Sequence, residues 1–122
     1  MEDNMCEEIA IKINWFYNTY YDNDNGVCKF KHTNLPLNGI YEDERGGIHH
    51  YKNGKYHNEN GPAYINKESH TVYYTNGKPH RIDGPAVILS NGDYGWHING
   101  HYIENEIIEN WLKENEIPLD YK

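Results

Sequence analysis

The dipeptide Asn-Gly recurs at 53/54, 76/77 and 99/100, each pair 23 residues after the last, with no insertion between them. Other residues keep the same register: His57 matches His80, and Gly61-Pro62-Ala63 matches Gly84-Pro85-Ala86. Self-similarity at a fixed period of this length marks small supersecondary units stacked in series. No unit of 23 residues buries an apolar face alone, so stability has to come from neighbour packing on neighbour.

Each unit reads as a β-hairpin. Ala63 to Ile65 and Val72 to Thr75 are short β-rich runs on either side of the polar linker Asn66-Lys67-Glu68-Ser69. The next unit repeats them as Ala86 to Leu89, a turn at Ser90-Asn91-Gly92-Asp93, and Tyr94 to Ile98. Asn-Gly then makes a tight turn, because both residues tolerate positive φ. The following His-x-x-x-Gly-Pro segment carries the chain onward, and its proline keeps it out of either strand. Gly39 to Gly54 is an earlier, degenerate hairpin with its turn near Glu44 to Gly47, which makes three hairpins in series.

The flanks differ. Ile9, Ile11, Ile13 and Trp15 alternate with Ala10, Lys12 and Asn14, which predicts a strand, although Ile9, Ile13, Phe16 and Tyr20 also fit helical spacing. Asp22 to Gly26 turns the chain and Val27 to His32 returns as a second strand. At the other end Ile103, Ile107, Ile108, Trp111 and Leu112 lie on one helical face, with Glu104 and Glu106 early, Lys113 late and Pro118 beyond. Glu104 to Asn115 therefore reads as a helix that closes the last open strand edge. The prediction is a mainly β protein of tandem antiparallel β-hairpin repeats, forming an elongated single-layer twisted sheet with a C-terminal capping α-helix. It is one domain over residues 1–122, comprising an N-terminal strand and hairpin region (1–38), the repeats (39–103), and the capping helix and tail (104–122).

Composition fits a thin structure. Mean hydropathy is −0.99, yet there are 12 tyrosines, whose rings half-bury while their hydroxyls stay wet. The net charge is −8 and no basic run offers a footprint for nucleic acid, so a protein partner of basic character is favoured over DNA or RNA. Two cysteines, Cys6 and Cys28, make neither a disulfide framework nor a zinc site, which points to a reducing compartment. The acidic first ten residues do not read as a signal peptide and no stretch is apolar enough for a membrane span, so a cytoplasmic location is expected.

The segments Tyr-Lys-Asn-Gly-Lys-Tyr-His-Asn-Glu-Asn-Gly-Pro-Ala (51–63) and Tyr-Thr-Asn-Gly-Lys-Pro-His-Arg-Ile-Asp-Gly-Pro-Ala (74–86) resemble a MORN-type repeat variant. It is the His-Arg-x-Asp-Gly-Pro-Ala kind found in bacteriophage and giant-virus proteins, and the resemblance covers about residues 39 to 103. It implies a role in protein assembly or, in a virus, in host interaction or anti-defence within the host cytoplasm. It implies no shared catalytic set. The first copy departs from the motif with Asn58 for Arg81 and Asn60 for Asp83.

His80, Arg81 and Asp83 have the types of a proton-transfer or oxyanion-holding trio, but recurrence of a motif is what stacking demands. Asn53, Gly54, His57, Gly61, Pro62, Asn76, Gly77, His80, Arg81, Asp83, Gly84, Pro85, Asn99 and Gly100 are accordingly read as structural. In that reading the histidines bond backbone atoms, Asp83 makes an Asx-type turn and Arg81 pairs with a carboxylate of a neighbouring repeat. His49 and His50 point to opposite strand faces, and His97 and His101 straddle a turn without a third ligand, so no metal or cofactor is expected. More informative are two aromatic columns, His50, Tyr73 and Trp96 on one face and Tyr51, Tyr74 and His97 on the other. One is core and the other a candidate partner-binding surface. The expected function is a non-enzymatic protein-binding module acting on a host protein or a second copy of itself; the alternative is a sequestering protein for a small nucleotide signal.

Overall fold

The computed structural model describes residues 9–117. In chain order the elements are β1 (Ile11–Lys12), a one-turn helix α1 (Trp15–Asn18), β2 (Thr19–Asp22), β3 (Val27–Phe30), β4 (Gly39–Glu42), β5 (Ile48–Lys52) and β6 (Lys55–Tyr56). They continue with β7 (Tyr64–Ile65), β8 (Thr71–Val72), β9 (Tyr74–Thr75), β10 (Lys78–Pro79), β11 (Val87–Ile88), β12 (Tyr94–Ile98), β13 (His101–Ile103) and helix α2 (Asn105–Glu114). One open sheet runs in the order β1-β4-β5-β7-β8-β11-β12-β13, with β6 beside β5. The pairs β2–β3 and β9–β10 are separate hairpins. The protein is mainly β, built of antiparallel hairpins, with a helix at its C-terminal end. No helix among the described residues is long and apolar enough to cross a membrane.

The 23-residue period is repeated in the backbone hydrogen bonds. Turns at 43–47, 66–70 and 89–93 close alike: Asp43, Asn66 and Leu89 donate to the carbonyl four residues on at 2.9, 3.0 and 2.8 Å. Gly46, Ser69 and Gly92 donate back at 3.1, 3.0 and 3.0 Å, each with positive φ (86°, 70° and 95°). The second kind of turn is Asn-Gly. Asn53, Asn76 and Asn99 hold φ of 52°, 49° and 50° and their glycines 79°, 82° and 83°, the type I′ geometry that matches strand twist. These turns create the short pairs β5–β6, β9–β10 and β12–β13.

Units are tied by bonds in the same register. His50 and Tyr73 donate to the carbonyls of Ala63 and Ala86, both at 2.7 Å. Ala63 and Ala86 are fully buried, so a small side chain is what this junction admits. Pro62 and Pro85 precede these alanines outside any strand, as predicted.

The N-terminal segment departs from the predicted strand. Only Ile11 and Lys12 are extended and paired, parallel to β4, and Ile9 and Ile11 are exposed. Asn14 then caps α1, its Oδ1 accepting the Tyr17 N–H at 3.1 Å, because a short polar side chain satisfies the first turn's free donors. Both periodicities in this stretch are thus real, each for a few residues. The turn at Asp22 to Gly26 forms, but the strand it joins to β3 is β2, and β3 ends at Phe30 rather than His32. The hairpin places Cys28 with Leu37 and Tyr41 in the main buried cluster, and Ile13, Trp15, Phe30 and Tyr51 pack around it.

At the other end α2 stands where a further unit would begin. Ile48 and Thr71 each have the next unit's strand beside them, at Ile65 and Ile88. Tyr94, at the same repeat position, has none; its carbonyl takes the Asn105 side-chain amide at 3.1 Å and its hydroxyl donates to Glu109 at 2.7 Å. Leu112 is the buried residue of the helix. The helix closes as Glu116, at φ 57°, turns the chain and Ile117 donates back to Leu112 at 2.9 Å.

Candidate functional surface

The motif residues that carry chemical possibilities are occupied in joining units. His57 Nδ1 accepts the Asn76 N–H at 3.0 Å, and His80 Nδ1 accepts the Asn99 N–H at 2.9 Å. Each histidine therefore holds the next unit's Asn-Gly turn, and Asn38 Oδ1 does the same for Asn53 at 2.7 Å. Arg81 Nε donates to Asp83 of its own unit at 2.9 Å, not to a neighbouring repeat, because the two lie in one tight loop. Its Nη1 reaches the Pro85 carbonyl at 3.2 Å and its guanidinium lies 4.1 Å from the Tyr73 ring centroid. In the first unit Asn58 stands in for Arg81: its Nδ2 donates to the Pro62 carbonyl at 3.0 Å. The Asx-type turn is here too, with Asn58 Oδ1 accepting the Asn60 N–H, while Asp83 accepts from Arg81 instead. The departures from the motif thus conserve its geometry. Gly61 and Gly84 precede the prolines at the unit junction.

The two aromatic columns are unequal. Tyr51 and Tyr74 belong to a stacked ladder on one face: Tyr51 lies 4.4 Å from Tyr56, and Tyr56 lies 4.9 Å from Tyr74. Trp15 stacks on His49 at 4.2 Å and reaches Tyr51 at 5.7 Å, so α1 covers this face over the first unit. His97 ends the column against Tyr102, its buried Nδ1 without a hydrogen-bond partner among the described residues. On the opposite face Trp96 is 1% exposed, Tyr73 is half-buried under Arg81, and His50 is half-buried. Neither column is a bare aromatic strip.

Sequence reasoning missed a buried polar chain. His49 Nε2 lies 2.7 Å from Asp43 Oδ2 and its Nδ1 lies 2.7 Å from the Tyr56 hydroxyl. Ionised Asp43 only accepts, so Nε2 carries the proton and Nδ1 receives the Tyr56 hydroxyl. Tyr51 stacks on Tyr56 at 4.4 Å and packs against the cluster that holds Cys28. Burial pushes the His49 ring below the ordinary histidine value, against the upward pull of Asp43. For Asp43 burial acts upward, but His49 and the N–H groups of Gly47 and Arg45 overcome it and hold the carboxyl low. Burial also raises Tyr51 and Tyr56 well above the usual phenol range. The repeat partners of His49 are Val72 and Gly95, so the period itself gave no signal for the chain. Among the described residues no group of three His, Cys, Asp or Glu side chains gathers to hold a metal ion.

What the surface leaves open is apolar and acidic. Phe16, Tyr17 and Tyr21 are 74%, 70% and 61% exposed at the N-terminal end, and Tyr102, Ile107 and Trp111 are 61%, 60% and 53% exposed at the other. Around Ile107 and Trp111 the helix carries Glu106, Glu109 and Glu114 against Lys113. A shallow groove between the β2–β3 hairpin and the Asn-Gly turns is lined by Tyr21, Cys28, Tyr51, Tyr56, Lys55 and Lys78. Comparison of the chain with protein-family models, with curated proteins and with solved structures finds no match.

Proposed function

We propose that the chain is a non-enzymatic protein-binding module, a viral or phage host-interaction protein that inhibits or scaffolds a basic partner through its acidic, Tyr-rich surface. The observation that supports this most is how the side chains divide. His57, His80, Arg81 and Asn58 are spent on inter-unit and loop hydrogen bonds. Phe16, Tyr17, Tyr102 and Trp111 meanwhile stand in water, on a chain of net charge −8. Exposed aromatics on a surface of net negative charge suit a protein interface with a basic partner, whereas the grooves formed by the described residues are shallow and open. Affinity capture from the native host at 50 mM and 500 mM salt, read by mass spectrometry, tests the proposal. One protein retained at low salt, released at high salt and lost from the Phe16→Ala/Tyr17→Ala and Trp111→Ala variants is expected. Retention that neither salt nor these substitutions alter refutes it.

A second reading, sequestration of a small anionic nucleotide, has one observation in its favour: Lys55 and Lys78 line the groove that also presents Tyr21, and neither forms a salt bridge among the described residues. An ultraviolet-absorbing ligand released on denaturing the purified protein would favour it.

A further inference from the structure

Each Asn-Gly hairpin hands two backbone groups to the next unit. In a two-residue hairpin the residues flanking the turn form the hydrogen-bonded pair, and the pair one step further turns its N–H and C=O groups away from its partner strand. In the first unit Lys52 and Lys55 flank the turn, so Tyr56 faces outward. Its carbonyl accepts the Gly77 N–H at 2.8 Å, and two residues on the Asn58 N–H donates to the Tyr74 carbonyl at 3.2 Å. The second unit repeats both bonds, Gly100 to Pro79 at 2.8 Å and Arg81 to His97 at 3.1 Å.

The third unit keeps this register, with Ile98 opposite His101 and His97 opposite Tyr102. The N–H and C=O of Tyr102 and the N–H of Glu104 therefore face away from β12, toward a fourth unit. Helix α2 does not take this place, for its bonds to the sheet run to Tyr94. Among the described residues none donates to the Tyr102 carbonyl across this edge.

We infer that the outer edge of β13 is a docking site for a basic segment of another protein that presents a tight turn, as the Asn-Gly turns present Gly77 and Gly100 at the two internal junctions. The two internal junctions define the register such a segment adopts. A second copy of the chain is a poor occupant: its Gly54 turn already donates to Leu37 at 2.8 Å and accepts from Cys28 at 2.7 Å, and its other two turns are engaged within their own sheet. Two copies would also bring together net charges of −8 each. Exposed Glu104 and Glu106 directly follow the edge, so lysine or arginine beside the incoming segment is attracted and glutamate refused. This rests on the protein-binding reading but names a surface and a mode that reading does not require.

The test uses the intact chain, isotope-labelled, and two synthetic peptides copying residues 72–79, one with two lysines added at its N-terminus and one with two glutamates. The lysine peptide is expected to bind, to shift the Tyr102 and Glu104 amide resonances and to slow exchange at Glu104, whose N–H the register pairs, at least tenfold. The glutamate peptide should bind at least fivefold more weakly. Glu104→Pro removes the outward N–H that this register pairs, at a φ of −59° that proline adopts, and should weaken the lysine peptide at least tenfold. Glu106→Lys, which leaves the backbone untouched, should reverse the preference between the peptides. Absence of binding by the intact chain, binding that Glu104→Pro leaves unchanged, or self-association that Glu104→Pro abolishes in sedimentation each overturns the inference. So does peptide binding seen only after truncation beyond Ile117, which would mean that residues 118–122 fill the edge. Capture of a basic partner that Phe16 or Trp111 substitutions abolish but Glu104→Pro does not would retain the general function while rejecting this site.

Discussion

Replacing His57 with alanine removes the acceptor that holds the following unit's turn, and its cost can be worked from the geometry. Nδ1 takes the Asn76 N–H at 3.0 Å, and the side chain is 10% exposed. A net hydrogen bond of this kind contributes about 1 kcal/mol. Truncating a mostly buried ring removes about 1–2 kcal/mol of apolar burial. Asn76 itself is exposed, so water replaces the lost acceptor and the larger penalty of a stranded donor does not arise. The expected loss is about 2 kcal/mol, or roughly 8 °C in Tm for a chain of this length. His57→Asn keeps an acceptor near the Nδ1 position and should cost about half as much. His80→Ala removes the equivalent bond to Asn99 and should match His57→Ala. The two sites share no partner, so the double variant should lose their sum to within about 0.5 kcal/mol. Thermal and urea melts followed by circular dichroism check all four. A His57→Ala protein as stable as the parent, or a double variant no worse than either single one, would refute the account of how the units are joined.

Ser69 occupies, at φ 70°, the turn position held by Gly46 and Gly92 in the other units; Ser69→Gly should raise stability by about 0.5–1 kcal/mol in a urea melt, the left-handed strain removed less the entropy a glycine costs. Gly54 and Gly46 have similar positive φ, but an added Cβ at Gly54 would meet Val27 Cβ at 2.6 Å and the Cys28 carbonyl at 2.9 Å, whereas at Gly46 it meets nothing within 4 Å. Gly46→Ala should therefore cost about 1 kcal/mol and Gly54→Ala about 3 kcal/mol, and equal costs would argue against the seat of the turn on β3. Stability should also fall on acidification in two stages. His49 lies below its ordinary 6.5 when folded, so the unfolded chain binds the proton first and stability is lost as pH falls below about 6.5. Asp43, also held low, withdraws its contribution as pH falls below about 3.8 toward its folded value. A His49→Gln variant should lack the first stage, and melts at pH 7.5, 5.5 and 4.5 would show whether it does.

The repeats were legible because their constraints are local. Two residues of positive φ must be Asn-Gly or something close to it, and a tight junction must be Ala, so turn and junction appear in the sequence at fixed spacing. The role of His57 and His80 followed from the same logic, since a side chain repeated in step with the fold serves the fold. The N-terminal segment was not legible in this way. Its apolar residues satisfy period 2 and period 3.6 at once, and what decides between them is a contact distant in sequence, the Trp15 N–H meeting Glu44 at 3.1 Å and the Trp15 ring meeting His49. The partner of Arg81 was misplaced for a related reason: spacing shows that a carboxylate lies two residues away, but not that the loop folds both side chains back on one another.

Where the period breaks, the structure becomes specific. Repeat positions equivalent to 43, 49 and 56 read Asp43, His49 and Tyr56 in the first unit, Asn66, Val72 and Pro79 in the second, and Leu89, Gly95 and Tyr102 in the third. Only the first set makes a buried polar chain, and only there do α1 and the β2–β3 hairpin cover the sheet face. A covered face demands that each polar group find a partner, and the Asp-His-Tyr succession supplies one for each. The uncovered units need no such arrangement: Val72 and Gly95 stand in place of the histidine that links the other two positions. The same comparison separates the two ends of the sheet. The first unit's turn is closed by Cys28 of β3 and by Leu37 beyond it, whereas the third unit's β13 meets no described counterpart of that segment. An edge closed at one end by the chain itself and open at the other in the same register is asymmetric in the way a docked segment requires, and a self-complementary pairing does not.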